Sequence, residues 1–206
     1  MPDLDEALEQ LPLIAILRGI TPSEIPAVGD ALVELGFSIL EVPLNSPDPY
    51  LSIEMLQQRH GSRALVGAGT VLHPEQVQQV ADAGGRLIVS PNLHPEVVRA
   101  TRRIGLFSVP GVFTPTEAFQ ALDHGAHALK LFPGDALNPK VCKALKAVLP
   151  SGTRLLVTGG VNAGNLQDFL RGGADGVGLG SALYAPGKLP EAVRQDAQTF
   201  LNAWSG

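Results

Sequence analysis

His124-Gly125-Ala126-His127-Ala128-Leu129-Lys130-Leu131-Phe132-Pro133 holds a helix end, a turn and a buried strand in one short run. Upstream, Thr114-Pro115-Thr116-Glu117 opens a helix: proline sits in the first turn, where its missing N–H has no role, and an acid follows at the positive end. Gly125 stops that helix just past its last periodic residue. The apolar run 127–131 is too short for a helix and is bounded by turn residues, so it reads as a strand. Ala83-Gly84 and Gly172-Gly173 look like copies of the same helix-to-strand turn.

The unit recurs along the whole chain. Strands are predicted near 13–18, 37–42, 63–68, 86–90, 106–109, 127–131, 154–158 and 175–180. Helical patterns fill 22–35, 48–60, 74–83, 95–104, 115–124, 139–148 and 162–172. Proline–acid openings recur at Thr21-Pro22-Ser23-Glu24, His73-Pro74-Glu75 and His94-Pro95-Glu96, and glycine stops recur at Gly36, Gly84, Gly105 and Gly172. Strands that alternate with helices run parallel, and eight of them close a barrel. The expected architecture is one (β/α)8 TIM barrel domain over 1–206, with an extra N-terminal helix at 3–11 and a C-terminal one at 190–204. An open doubly wound sheet is the structural rival. Its Gly-x-Gly-x-x-Gly fingerprint does not follow the first strand, which closes on Arg18-Gly19 instead.

Composition narrows the function. In 206 residues, 45% are hydrophobic and 17% charged, which suits a large interior and argues against disorder. A net charge of −5 gives no electrostatic reason for a nucleic acid or anionic membrane partner. No apolar run approaches the ~20 residues of a membrane span. The acidic start Met1-Pro2-Asp3-Leu4-Asp5-Glu6 lacks a secretory pattern, and a single cysteine, Cys142, excludes an intrachain disulfide. A soluble cytoplasmic protein is expected. The histidines at 60, 73, 94, 124 and 127 lack metal-ligand spacing, so no metal site is expected.

Lys130 carries the chemistry. A lysine ending a buried strand loses hydration, its pKa falls, and a neutral amine attacks carbonyls. The competing reading is a side chain that snorkels into solvent. In a barrel, catalytic groups sit at the C-terminal strand ends, with alternate positions facing inward. That period predicts inward sets of Ile14, Ile16, Arg18; Ile39, Glu41, Pro43; Val66, Ala68, Thr70; Ala126, Ala128, Lys130; and Leu156, Thr158, Gly160. Glu41 beside Lys130 suits a general acid/base, with a purely structural ion pair as the alternative. Arg18 offers a planar fork to a carboxylate, or is a surface arginine at a strand exit. Val157-Thr158-Gly159-Gly160-Val161 and Gly176-Val177-Gly178-Leu179-Gly180-Ser181 end the last two strands, where glycine loops often bind phosphate through backbone N–H groups.

These motifs, spread over about 11–187, resemble the class I 2-keto-3-deoxy-6-phospho-sugar-acid aldolases (the KDPG/KHG aldolase family), close to the 6-phosphogalactonate branch. The resemblance rests on Leu13-Ile14-Ala15-Ile16-Leu17-Arg18-Gly19, Glu41-Val42-Pro43-Leu44-Asn45-Ser46-Pro47, Val66-Gly67-Ala68-Gly69-Thr70-Val71-Leu72, Ser90-Pro91-Asn92, Val109-Pro110-Gly111, Leu129-Lys130-Leu131-Phe132-Pro133 and Thr158-Gly159-Gly160. It implies that Lys130 forms a Schiff base with the keto acid and that Glu41 moves protons. Arg18 and Thr70 would hold the pyruvyl carboxylate, Pro91 and Phe132 would wall the pocket, and Gly159, Gly160, Gly180 and Ser181 would hold a 6-phosphate. The implied products are pyruvate and D-glyceraldehyde 3-phosphate, with no metal or organic cofactor, from a homotrimer.

The motifs divide on one point. Pro43 and Asn45 stand where the gluconate branch carries Thr and Arg, so Arg18 must supply the charge, as in the galactonate branch. Thr158, however, resembles the gluconate enzymes, where a threonine can bond the C4 hydroxyl. The longer motifs put the galactonate epimer ahead. The alternatives are the same chemistry on 2-dehydro-3-deoxy-6-phosphogluconate or 4-hydroxy-2-oxoglutarate, a lysine–pyridoxal-phosphate barrel, and a non-catalytic phosphosugar-binding barrel.

Overall fold

The computed structural model describes residues 2–205. In chain order it contains α1 (Leu4–Gln10), β1 (Leu13–Ile16), α2 (Ile25–Glu34), β2 (Ile39–Pro43), α3 (Pro49–His60), β3 (Leu65–Gly69), α4 (Pro74–Asp82), β4 (Leu87–Val89) and α5 (Pro95–Arg103). There follow β5 (Phe107–Val109), β6 (Gly111–Val112), α6 (Pro115–Asp123), β7 (Ala128–Leu131), α7 (Lys140–Lys146), β8 (Arg154–Thr158), α8 (Leu166–Arg171), β9 (Gly176–Leu179) and α9 (Pro190–Ser205). The proline openings start α4, α5 and α6 as expected, whereas Pro22 lies in a turn and α2 begins at Ile25.

Every strand pairing is parallel, in the order β5-β4-β3-β2-β1-β9-β8-β7-β6. The two edge segments, β5 and β6, are one strand interrupted at Pro110, which has no N–H to give the ladder. His127 N–H donates to Ser108 O and Lys130 N–H to Pro110 O, both at 2.9 Å, while β4 pairs on the other side. The sheet thereby closes into a barrel of eight staves, and the fifth runs past the predicted 106–109 to Val112.

The repeated turn is a shared hydrogen-bond motif. Gly84, Gly125 and Gly173 each adopt positive φ, and each N–H bonds a carbonyl three residues back. The following N–H reaches five residues back, to Val80, Ala121 and Phe169 respectively, which is the Schellman pattern. The left-handed residue of the third copy is Gly173 rather than Gly172.

Two apolar layers follow from the alternation. Val42, Val66, Ala68, Leu129, Leu155 and Val177 pack outward with the helices, α9 adding Val193, Ala197 and Phe200. Ile14, Ile39, Leu65, Leu87, Val109, Ala128 and Leu156 fill the barrel interior. The helix predicted at 3–11 is an interior element at one end: Leu4, Ala7 and Leu8 of α1 belong to that inner cluster. Arg154 holds α1 through Asp5 (2.9 Å) and Glu9 (3.1 Å), and Ser38 Oγ donates to Ala7 O.

The expected phase of the third strand is reversed. Glu41 pairs in register with Gly67, so Leu65, Gly67 and Gly69 face inward while Val66 and Ala68 face the helices. Ala126 likewise precedes β7 and packs in the outer layer. Small residues explain the third strand: a Cβ on Gly69 would come within 2.5 Å of Glu41 Oε1. Glycine there makes room for the carboxylate. Among the described residues no helix is long and apolar enough to cross a membrane.

Candidate active site

Lys130 comes third in β7, which is buried throughout, and its side chain is only 5% exposed. Its Nζ lies 5.1 Å from the centre of the Phe132 ring. Burial, the dominant cause, pushes its pKa below the ordinary lysine value; Glu41 opposes the shift and Arg18 adds to it. Glu41, in the middle of β2, is 1% exposed. Burial raises its carboxyl above the usual range, although Lys130 and Arg18 pull it back. The two groups feel each other's charge without approaching within the 4.0 Å of an ion pair, so the structural pair considered above does not form. Both shifts favour the uncharged forms. An amine and a carboxyl whose uncharged forms are both favoured thus line one apolar chamber.

That chamber runs through the packed interior, from Leu4 of α1 to the C-terminal strand ends. Its walls include Ile14, Ile16, Val89, Leu156 and Gly178, and only about 10 Å³ remains open there. Ile16, Thr158 and Gly178 also line the mouth above, where a cleft of about 370 Å³ opens. Arg18, Phe132, Gly159, Gly160, Gly180 and Ser181 surround that cleft, together with Val161, Asn162 and Ala182.

Arg18 is aimed by its neighbours. Its Nη1 donates to Asn45 Oδ1 at 2.7 Å, and both Nη atoms lie 3.4 Å from Thr70 Oγ1. Leu17 N–H donates to Glu41 O and Gly19 N–H to Ser46 Oγ, each at 2.9 Å, so the β2 loop grips this strand end. Thr70 was expected at the mouth by alternation. It arrives there although its strand has the opposite phase, because its backbone turns left-handed at φ 56°. Pro91 is not part of either wall. It follows β4, and its carbonyl abuts Gly111, where a Cβ would come within 2.2 Å.

The glycine loops differ from one another. Gly159 and Gly160 take φ of 100° and 68°, and a Cβ on Gly160 would fall 2.6 Å from Asp135 Cβ. Gly180 faces open space, so nothing inside the molecule demands glycine there. The backbone N–H groups of Gly160, Val161, Ser181 and Ala182 find no acceptor among the described residues. Four free amides around one cleft suit an anion. Asn45, Ser46, Asn162 and Ala182 were absent from the expected site. Asn162 was findable in principle, since Asn162-Ala163-Gly164 is an Asx turn with Gly164 N–H on Asn162 Oδ1. Among the described residues no three His, Cys, Asp or Glu side chains gather where they could hold a metal ion.

Comparisons with known proteins fit this geometry. A family profile described as "Aldolase: KDPG and KHG aldolase" matches residues 4–196. The 2-dehydro-3-deoxy-6-phosphogalactonate aldolase of Escherichia coli (strain K12) is 49% identical over 195 residues, 95% of each chain. The solved structure named "Native KDPGal structure" superposes with a TM-score of 0.93 at 49% identity, over 95% of each chain. A KDPG aldolase from Legionella pneumophila, holding pyruvate as a covalent carbinolamine captured at low pH, is 27% identical, with a TM-score of 0.83 over 95% of this chain and 96% of that one.

Proposed function

The chain belongs to the KDPG and KHG aldolase family, and on that premise we propose that it cleaves 2-dehydro-3-deoxy-6-phosphogalactonate to pyruvate and D-glyceraldehyde 3-phosphate. The observation that carries the reading is Lys130: a buried amine with a lowered pKa, beside the buried Glu41 and beneath an anion-friendly cleft. The carbinolamine in the Legionella relative supports the same first bond.

The steps follow from the groups in place. Lys130 Nζ adds to the C2 carbonyl, and the carbinolamine loses water to give a protonated imine. Glu41 delivers and removes the protons of that exchange. Glu41 takes the C4 hydroxyl proton, which lets the C3–C4 bonding pair move into the iminium. An aldehyde departs and an enamine remains on the lysine. Glu41 returns that proton to C3, and hydrolysis of the resulting imine by water frees pyruvate and the amine. Arg18, held by Asn45 and flanked by Thr70, takes the carboxylate through its fork. Phe132 covers the lysine side, and the amides near Gly159, Gly160, Gly180 and Ser181 receive the 6-phosphate.

The near full-length 49% identity to the galactonate enzyme supports that epimer. Thr158, whose side chain lines both chamber and cleft, favours a second reading with the same chemistry on the gluconate epimer. The reading extends to a homotrimer, as the resemblance implies, in the cytoplasm that the composition suggests, and light scattering at the mass of three chains tests the assembly. Incubation with pyruvate and borohydride, followed by mass spectrometry, tests the mechanism. The expected result is one reduced pyruvyl adduct on Lys130; no adduct, or one on another lysine, overturns it.

A further inference from the structure

We propose that Glu24 and Tyr184 form a latch that positions the Gly180–Ala182 turn, and so sets affinity for the phosphate end of the substrate without acting on the imine end. The inference rests on the reading above that this turn receives the phosphate.

Glu24 immediately precedes α2, on the loop that follows β1, and Tyr184 lies on the loop that follows β9. Their chain positions are far apart, yet one carboxylate ties the two loops together. Its Oε2 accepts from Thr21 N–H (2.9 Å) and Thr21 Oγ1 (2.6 Å). Its Oε1 accepts from Tyr184 Oη (3.0 Å) and Gly187 N–H (3.1 Å). Burial alone would raise this carboxyl, but the four bonds outweigh it and hold Glu24 below the usual range. Tyr184 is 2% exposed, so its hydroxyl depends on this partner. The loops also touch, for a Cβ on Gly19 would lie 2.6 Å from Pro186 Cγ.

Tyr184 passes this restraint to the cleft through its backbone. Its N–H, like that of Leu183, donates to Gly180 O, so fixing Tyr184 fixes the turn whose first residues line the cleft. Arg18 has separate anchors on the opposite side, in Asn45, Ser46 (through Gly19) and the Glu41 carbonyl (through Leu17). Releasing the latch therefore frees the phosphate side and leaves the carboxylate side held.

The test compares the two ends in Tyr184→Phe, Glu24→Ala and the double variant. In the wild type, KM is first measured for the phosphorylated substrate and its unphosphorylated analogue, and equal values would overturn the phosphate reading itself. Given discrimination there, Tyr184→Phe should raise KM for the phosphorylated substrate about tenfold, with kcat within about twofold. Glu24→Ala should raise it further, and adding Tyr184→Phe to Glu24→Ala should change nothing more, because the hydroxyl acts through the carboxylate. The pyruvate concentration giving half-maximal borohydride trapping on Lys130 should stay put. An unchanged KM in Tyr184→Phe, or pyruvate trapping that weakens in parallel with KM, refutes the latch. Tyr184→Phe keeps the ring packing, so the test stands even if Glu24→Ala fails to fold.

Discussion

The floor of the barrel mouth and its rim are built in opposite ways. On the floor, Glu41 and Lys130 project from the middle of buried strands, and the proposed chemistry rests on their side chains. On the rim by β8 and β9, glycines alternate with short side chains, and the backbone amides of Gly160, Val161, Ser181 and Ala182 have no acceptor among the described residues. A reacting group needs a shifted pKa, which burial on a rigid strand supplies. An anion leaving with the product needs weaker, exposed contacts that release it. The difference predicts that floor changes act on kcat and rim changes on KM.

The largest break lies at the floor. Lys130→Met keeps the apolar stem but has no amine, and should lower kcat/KM by at least about 10⁴-fold and abolish borohydride trapping. Retained turnover would move the chemistry elsewhere. Glu41→Gln fills the same space and should lower kcat about 10²- to 10⁴-fold, with KM little changed; a rise in KM alone would make Glu41 a binding group.

Acid should act next. Burial lowers the Lys130 pKa, so falling pH converts the nucleophilic amine to ammonium as it passes that lowered value. Glu41, raised by burial, loses its basic form over the same acidic side. The kcat/KM profile should therefore fall at least roughly tenfold per pH unit along one acid limb. A limb centred at the ordinary lysine value would contradict the burial argument.

The rim gives the smaller effects. Gly160→Ala forces a Cβ into a left-handed residue 2.6 Å from Asp135 Cβ, and should raise KM for the phosphorylated substrate about tenfold with kcat preserved. Thr158→Val removes one hydroxyl between floor and rim. The ratio of cleavage rates should shift about 2- to 10-fold toward the galactonate epimer; an unchanged ratio removes Thr158 from epimer choice.

Much of this was legible in residue order because period and punctuation are local. The glycine stops, the proline openings and the inward phase of β1, β2, β7 and β8 needed only neighbours a few positions apart. The β3 phase was not legible, since Val66-Gly67-Ala68-Gly69 puts its larger side chains outward, against the helices, and clears space inward for a carboxylate on the next strand. Thr70 reaches the site by a backbone inversion that a β-branched residue rarely adopts and that residue order does not signal. Pro110 hid the continuation of the fifth stave by breaking its ladder. Asn45 on Arg18 and Glu24 on Tyr184 join loops whose pairing depends on which strands became neighbours.

One consequence of α1 reaches the reaction although the helix never meets substrate. Leu4 lines the same small chamber as Lys130 and Glu41, from the opposite end of the barrel. The helix closes that end of the apolar interior, and its Leu4, Ala7 and Leu8 contribute to the surroundings in which the amine is buried. If water rose through that end, the ammonium would be rehydrated and the lysine would lose its readiness to attack. The burial that lowers the Lys130 pKa at one end of the barrel thus leans on a seal at the other, fastened through Arg154 to Asp5 and Glu9.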